Sequence, residues 1–292
     1  MPEIPRLATV ACAQIRPMPS FEAALEEAAP LVEAAADQGA ALVALPEYCG
    51  GLRSEAGLYG PPLAPEATHP VLAGLRALAR RRGVWLLIGS LAVEREDALE
   101  DAGVRDERFA NRCFLVDDQG EIVLRYDKIH LFDVALGDGE AYRESAVVAP
   151  GDAGAVAATP IGALGLTICY DLRFPHLYRR LAQAGAEALA VPAAFTRKTG
   201  EAHWHVLNRA RAIENGAFVI APCSTGPVEG GGACYGCSLI VDPWGRVLAD
   251  AGAAGPGLAV AEIDLSAVAA TRGRIPSLTH DRPFALPGEA AS

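Results

Sequence analysis

Short apolar runs alternate with amphipathic stretches along almost the whole chain. LATVACAQI (7–15) reads as a first strand. Ser20 then caps a helix running to about Gln38, with Leu25, Ala28, Leu31 and Val32 at its apolar positions. ALVALPE (41–47) is apolar on both faces, which predicts an interior strand. Residues 66–82 predict a helix ending in Arg80, Arg81 and Arg82, a basic run suited to the negative end of a helix dipole. VWLLIGSLAV (84–93) is a further strand, and 111–126 a hairpin turned by Asp118-Gln119-Gly120. IGALGLTI (161–168) leads straight into Cys169, and 170–180 is taken as the start of a helix. EALAVPAAF (187–195) and AFVIAPCS (217–224) are strands, 203–215 is a helix, 237–250 a second hairpin and 257–265 a late strand.

Strands that are apolar on both faces and interleaved with helices need cover on both sides. The pattern therefore predicts an α/β fold, a four-layer αββα sandwich with two sheets face to face and helices outside. No fixed-period repeat, low-complexity tract or linker divides the chain, so residues 1–292 read as one domain.

Composition narrows the function. The chain is 51% hydrophobic, enough for a sizeable core. A formal charge of -11 argues against a nucleic-acid partner and against an anionic membrane surface. No apolar run approaches the roughly 18 residues of a membrane span. The opening MPEIPRLATVACAQ lacks a basic segment followed by a long apolar stretch, so no secretory signal is expected. Seven scattered cysteines, an odd number, read as reduced thiols and a cytoplasmic location.

Three polar residues share one local context. ALVALPE ends in Glu47, IVLRYDK in Lys128, and GALGLTIC in Cys169. Sites in open α/β sheets gather at the carboxyl ends of strands, so an acid, an amine and a thiol can converge there. A thiol with an ordinary pKa near about 8.5 needs a base or a lowered pKa. Glu47 supplies the base, and Lys128 supports a thiolate and then an oxyanion. A helix N-terminus at 170 would favour the thiolate too. Each residue alone also has a plain reading, as a core filler, a cap or a solvated charge.

The segments LPE (45–47), YDKIHLFD (126–133), YRES (142–145), CYDLRFP (169–175), AHWHVLNRARAIENG (202–216) and VDPWG (241–245) together resemble the nitrilase superfamily of carbon–nitrogen hydrolases. Order and spacing match from Ala11 to about Asp264, closest to its amidase branch. The resemblance implies an αββα sandwich and a Glu–Lys–Cys triad on Glu47, Lys128 and Cys169, with Glu144 of YRES as a second glutamate. It implies no cofactor, no metal and at least a homodimer. The proline-rich tail, residues 274–292, is expected at a subunit contact. Three places depart from the branch: His176 in RFPHL, Cys237 where a histidine is usual, and Tyr48-Cys49-Gly50-Gly51 after the triad glutamate.

The expected reaction is thiol-dependent hydrolysis of a small aliphatic amide to acid and ammonia. Arg173 is expected to hold a carboxylate at the far end of the substrate, with Tyr170, Phe195 and Thr199 lining the pocket; the plain alternative pairs Arg173 with Asp171 or a nearby acid, where it only holds the loop. Rival readings are a nitrile hydrolase, a non-catalytic binding or scaffold protein, and a thiol-redox enzyme. Two motifs suggest metal or redox chemistry and are set aside. Cys234-x-x-Cys237 opens a strand and has no second pair to complete a zinc site. His203 and His205, two apart on a helix, do not share a face. The glycines at 230–232 read as a flexible loop.

Overall fold

A computed structural model describes residues 7–55, 58–95, 100–101, 104–137 and 140–284. Along the chain the main elements are β1 (Leu7–Gln14), α1 (Phe21–Asp37), β2 (Leu42–Ala44), α2 (Pro70–Arg82), β3 (Trp85–Glu94), β4 (Phe109–Val116) and β5 (Ile122–Asp127). The second half follows as β6 (Ala155–Thr159), β7 (Gly162–Leu166), α3 (Pro175–Gln183), β8 (Ala188–Ala190), α4 (Arg197–Asn215), β9 (Phe218–Ala221), β10 (Leu239–Val241), β11 (Val247–Asp250), β12 (Gly257–Asp264) and α5 (Ser266–Arg274).

The first sheet runs β5-β4-β3-β2-β1-β12, with β3, β2 and β1 parallel and the outer pairs antiparallel. The second runs β6-β7-β8-β9-β10-β11, with β7, β8 and β9 parallel at its centre. Alternation along the strands builds the layers, because successive side chains leave opposite faces. Val10, Cys12, Leu42, Ala44, Leu87, Cys113 and Leu115 join the core shared with the second sheet. Their neighbours Ala11, Ala13, Val43, Leu86, Ile88, Phe114 and Val116 pack instead against Ala28, Val32 and Ala35 of α1 and Leu72, Leu75 and Leu78 of α2. Leu177, Tyr178 and Leu181 of α3 and Trp204 and Ala212 of α4 cover the other side of the second sheet. The result is the expected four-layer sandwich. No helix among the described residues is long and apolar enough to cross a membrane.

Three helix starts differ from the sequence expectation. Residues 66–68 form a separate 3-10 turn, and α2 begins at Pro70 behind a His69 cap, where a missing N–H costs nothing. α4 begins at Arg197, six residues before the expected 203. No helix starts at 170: Cys169–Arg173 is a 3-10 turn, and α3 starts at Pro175. The chain after α5 folds back on its own α3, where Arg179 donates to Asp281 at 2.6 Å and to the Ser277 carbonyl at 2.6 Å. The last eight residues of the tail, 285–292, lie outside the described residues.

Candidate active site

The chain just past β2, β5 and β7 converges at one point, where Glu47, Lys128 and Cys169, one to three residues beyond their strands, place their head groups. Glu47 sits in a turn that a bulge in β3 holds in place. The Tyr48 N–H donates to Ser90 Oγ at 2.9 Å, and the Cys49 N–H to the Ser90 carbonyl at 3.1 Å. The bulge needs Gly89, since a Cβ there would lie 2.0 Å from the Leu45 carbonyl oxygen. Gly89→Ala is therefore expected to cost about 1–3 kcal/mol of stability through overpacking. It should also lower turnover by displacing Glu47; a wild-type urea midpoint together with wild-type turnover would refute this.

Lys128 follows β5 directly and is buried with its amine between two carboxylates. Its Nζ donates to Glu47 Oε1 at 2.8 Å and to both oxygens of Glu144 at 2.9 Å. Burial opposes the charge, but Glu144 and Glu47 overcome it and hold the amine's pKa well above its ordinary value. Lys128 is thus a permanent cation. Glu144 is presented by a 3-10 turn after a short hairpin, Asp133–Gly137 with Glu140–Arg143. Asp133 closes that hairpin by accepting from the N–H and hydroxyl of Ser145 at 2.9 and 2.5 Å. This gives the serine of YRES its role.

Cys169 opens the 3-10 turn with φ 46, in the left-handed region where a non-glycine residue is uncommon. Its N–H donates to the Pro192 carbonyl at 2.9 Å. Asp171, fully buried, fixes the turn. One oxygen accepts from the Ile168 N–H at 2.8 Å and the Tyr126 hydroxyl at 2.7 Å. The other accepts from the His130 N–H at 3.1 Å and meets His130 Nδ1 at 2.7 Å. One carboxylate thereby ties the nucleophile's turn to the strand end that carries Lys128.

The surroundings of the thiol favour its protonated form. Burial pushes its pKa well above the ordinary value, the hydrogen-bonded Glu47 carboxylate pushes the same way, and Lys128 pulls it down without prevailing. Lys128 pulls the thiol's pKa down, as expected, while the expected helix N-terminus at 170 is absent. The thiol keeps its proton until a base takes it, and Glu47 is the base in contact.

A narrow cleft of about 290 Å³, its open mouth included, is lined by Glu47, Lys128, Cys169, Phe132, Tyr170, Phe195 and Thr199, among others. The three expected lining residues are all there. Arg173 stands outside the lining, with its guanidinium carbon 5.4 Å from the Phe195 ring centre and 5.9 Å from that of Tyr170. Among the described residues it has no carboxylate partner, only His203 Nδ1 at 3.4 Å. The alternative pairing with Asp171 is excluded, because both Asp171 oxygens are committed elsewhere.

Sequence reasoning missed Asn111. Its amide donates to Glu47 at 3.0 Å and to Glu144 at 3.2 Å, bridging the two acids. The available signal was an asparagine on the same face of β4 as buried Cys113 and Leu115. Tyr48, from the unmatched segment 48–51, reaches the site as well, its hydroxyl donating to Glu144 at 3.2 Å. His176 and Cys237 do not line the cleft. His176 packs edge-on against His130 and Phe174.

A buried thiol with a carboxylate base, beside a fixed ammonium that can meet a developing oxyanion, defines a cysteine-dependent hydrolase. The chain belongs to the carbon–nitrogen hydrolase family, whose pattern matches residues 9–273. It is 41% identical over 273 residues to a deaminated glutathione amidase of Synechocystis, covering 92% of this chain and 96% of that one. The NitFhit protein of C. elegans superposes with a TM-score of 0.83 at 32% identity, over 96% of this chain and 66% of that longer one. An amidase from Nesterenkonia sp. AN1 superposes with a TM-score of 0.73 at 26% identity, covering 97% of each chain. That structure is a glutamate-to-glutamine mutant carrying the acetamide moiety of fluoroacetamide covalently on its active-site cysteine.

Proposed function

We propose that this chain is an amidase for small amides whose far end carries a carboxylate. The observation that carries the reading is the contact set Glu47–Lys128–Glu144 around Cys169, buried at the base of the cleft. Glu47 takes the thiol proton as Cys169 attacks the amide carbon. The Lys128 ammonium holds the oxyanion, and Glu144 and Asn111 hold Lys128 and Glu47 in register. The tetrahedral intermediate collapses as Glu47 returns the proton to the leaving nitrogen, which departs as ammonia or an amine. Glu47 then activates a water that cleaves the thioester and frees the acid.

Arg173, over the cleft-lining rings of Tyr170 and Phe195, supports the carboxylate, since among the described residues it has no acid of its own and a guanidinium fork matches one with two hydrogen bonds. Relatives named for deaminated glutathione support the same class. The test compares the monoamide of a dicarboxylic acid with its neutral methyl ester, and includes deaminated glutathione. The acid is expected to lead by at least about tenfold in kcat/KM, roughly 1.4 kcal/mol. Arg173→Leu should erase the lead. Equal rates on both amides, or a preference that survives the substitution, would sink the carboxylate assignment.

We also infer a cytoplasmic enzyme that is at least a homodimer, with the residues from 274 onward near the subunit contact. Free cysteines support the first inference. Large exposed apolar side chains, Val206 at 67%, Ile213 at 51% and Trp244 at 56%, support the second. Light scattering at micromolar concentration that gave a 30.4 kDa monomer would reject the dimer.

A further inference from the structure

The hydrolase reading leaves over the HWH segment and the Cys-x-x-Cys. One residue of each meets the other across the fold. His205 of α4, Cys237 from the loop before β10 and Asp250 at the end of β11 offer one donor atom apiece, all within 4.8 Å of one another. None of the three lines the nucleophile's cleft. We propose that His205, Cys237 and Asp250 form a zinc site, with water completing a tetrahedral shell.

The donor set selects the metal. One imidazole nitrogen, one sulfur and one carboxylate oxygen suit zinc, whereas magnesium and calcium take oxygen ligands. The spacing suits it as well. Ligand atoms about 2.0–2.3 Å from a tetrahedral zinc lie roughly 3.3–3.6 Å from one another. His205 Nε2 and Asp250 Oδ2 are already 3.0 Å apart. To hold zinc, that pair opens by a few tenths of an ångström, the widest donor separation closes from at most 4.8 Å by about an ångström, and any proton on Nε2 moves to Nδ1 or to solvent. Both side chains are about one-third exposed, so they can make the adjustment and admit the ion.

The sulfur is the fixed member. Cys237 has φ 55, one of three non-glycine residues with positive φ among the described residues, and the other two, Tyr48 and Cys169, belong to the active site. Such a conformation persists only where the surroundings impose it. Here the Cys237 N–H donates to the Gly252 carbonyl at 3.0 Å, and its own carbonyl accepts from Trp204 Nε1 at 2.8 Å. On binding, the S–H bond breaks, the sulfur's electron pair forms the bond to zinc, and the proton leaves to solvent. The ion would tie α4 to the β10–β11 hairpin. Trp204, adjacent to His205, packs on Phe195 of the cleft with ring centres 5.0 Å apart, so the site lies one side chain behind the pocket wall.

The test titrates zinc into metal-free Cys169→Ala protein by calorimetry, which removes the nucleophile as a competing thiol. One equivalent per chain with a dissociation constant in the micromolar range or below is expected, and no uptake of magnesium. His205→Gln, on a solvent-facing stretch of helix, should weaken zinc at least tenfold, and Cys237→Ser should do the same. Cobalt(II) should show a thiolate charge-transfer band in the near ultraviolet that Cys237→Ser removes. Absence of saturable zinc uptake, wild-type affinity in His205→Gln, or a cobalt spectrum without the thiolate band would overturn the proposal. If Cys237→Ser does not fold, His205→Gln and the cobalt band decide.

Discussion

Cys169→Ala is expected to lose at least about a thousandfold in turnover while the folded protein remains. Removing a nucleophile that works with its base as a unit eliminates nearly all of their joint contribution, as it does in other hydrolases. The fold should tolerate the change for a local reason. The turn is held by the Cys169 N–H to Pro192 and by Asp171 on the Ile168 N–H, and neither bond uses the sulfur. Alanine meets the same left-handed strain that cysteine already bears at φ 46. The measurements are steady-state turnover on the best amide, intact mass after substrate addition, and a urea melt. The wild type should carry an acyl adduct and the variant none. More than about a hundredth of the wild-type rate in a folded variant would show that another group attacks.

The triad was legible because each member stands at or just past the end of a strand-like run, although Arg125 and Asp127 precede Lys128. Glu47 follows a parallel strand of the first sheet, Lys128 that sheet's antiparallel edge strand, and Cys169 a parallel strand of the second sheet, and the face-to-face packing brings the three ends together. The supports were not legible in the same way. Asn111 acts on Glu47 and Glu144 from another strand, and only the pairing of β4 with β5 and β3 brings the three together. Gly89 looks like a lapse in a strand until Leu45 and Pro46 are seen pressed against it. The helix start was also missed: α4 begins at Arg197 and contains Gly200, where a Cβ would lie 2.3 Å from the Tyr235 ring. The balance at Cys169 was unreadable for a different reason: burial, which belongs to the whole fold, raises the thiol's pKa against the pull of Lys128.

Lys128→Met should lose both activity and stability, and the two losses can be separated. Taking away one oxyanion donor costs roughly 2.7–4 kcal/mol of transition-state stabilisation. That alone predicts about a hundredfold to a thousandfold lower kcat. The stability loss has another origin. Glu47 and Glu144 are both almost fully buried and share the Lys128 amine. Without the cation they face each other uncompensated, and breaking a buried pair in this way costs roughly 3–5 kcal/mol. In the wild type Glu144 and Glu47 hold the Lys128 amine charged against burial, so the cation is present to offset them. Adding Glu144→Gln to Lys128→Met removes one of the two charges, so it should restore much of the stability and none of the activity. Urea melts and kcat for both variants make the test. A Lys128→Met enzyme within tenfold of the wild-type kcat, or a double variant that regains turnover along with stability, would show that Lys128 is structural and that the oxyanion is held by something else.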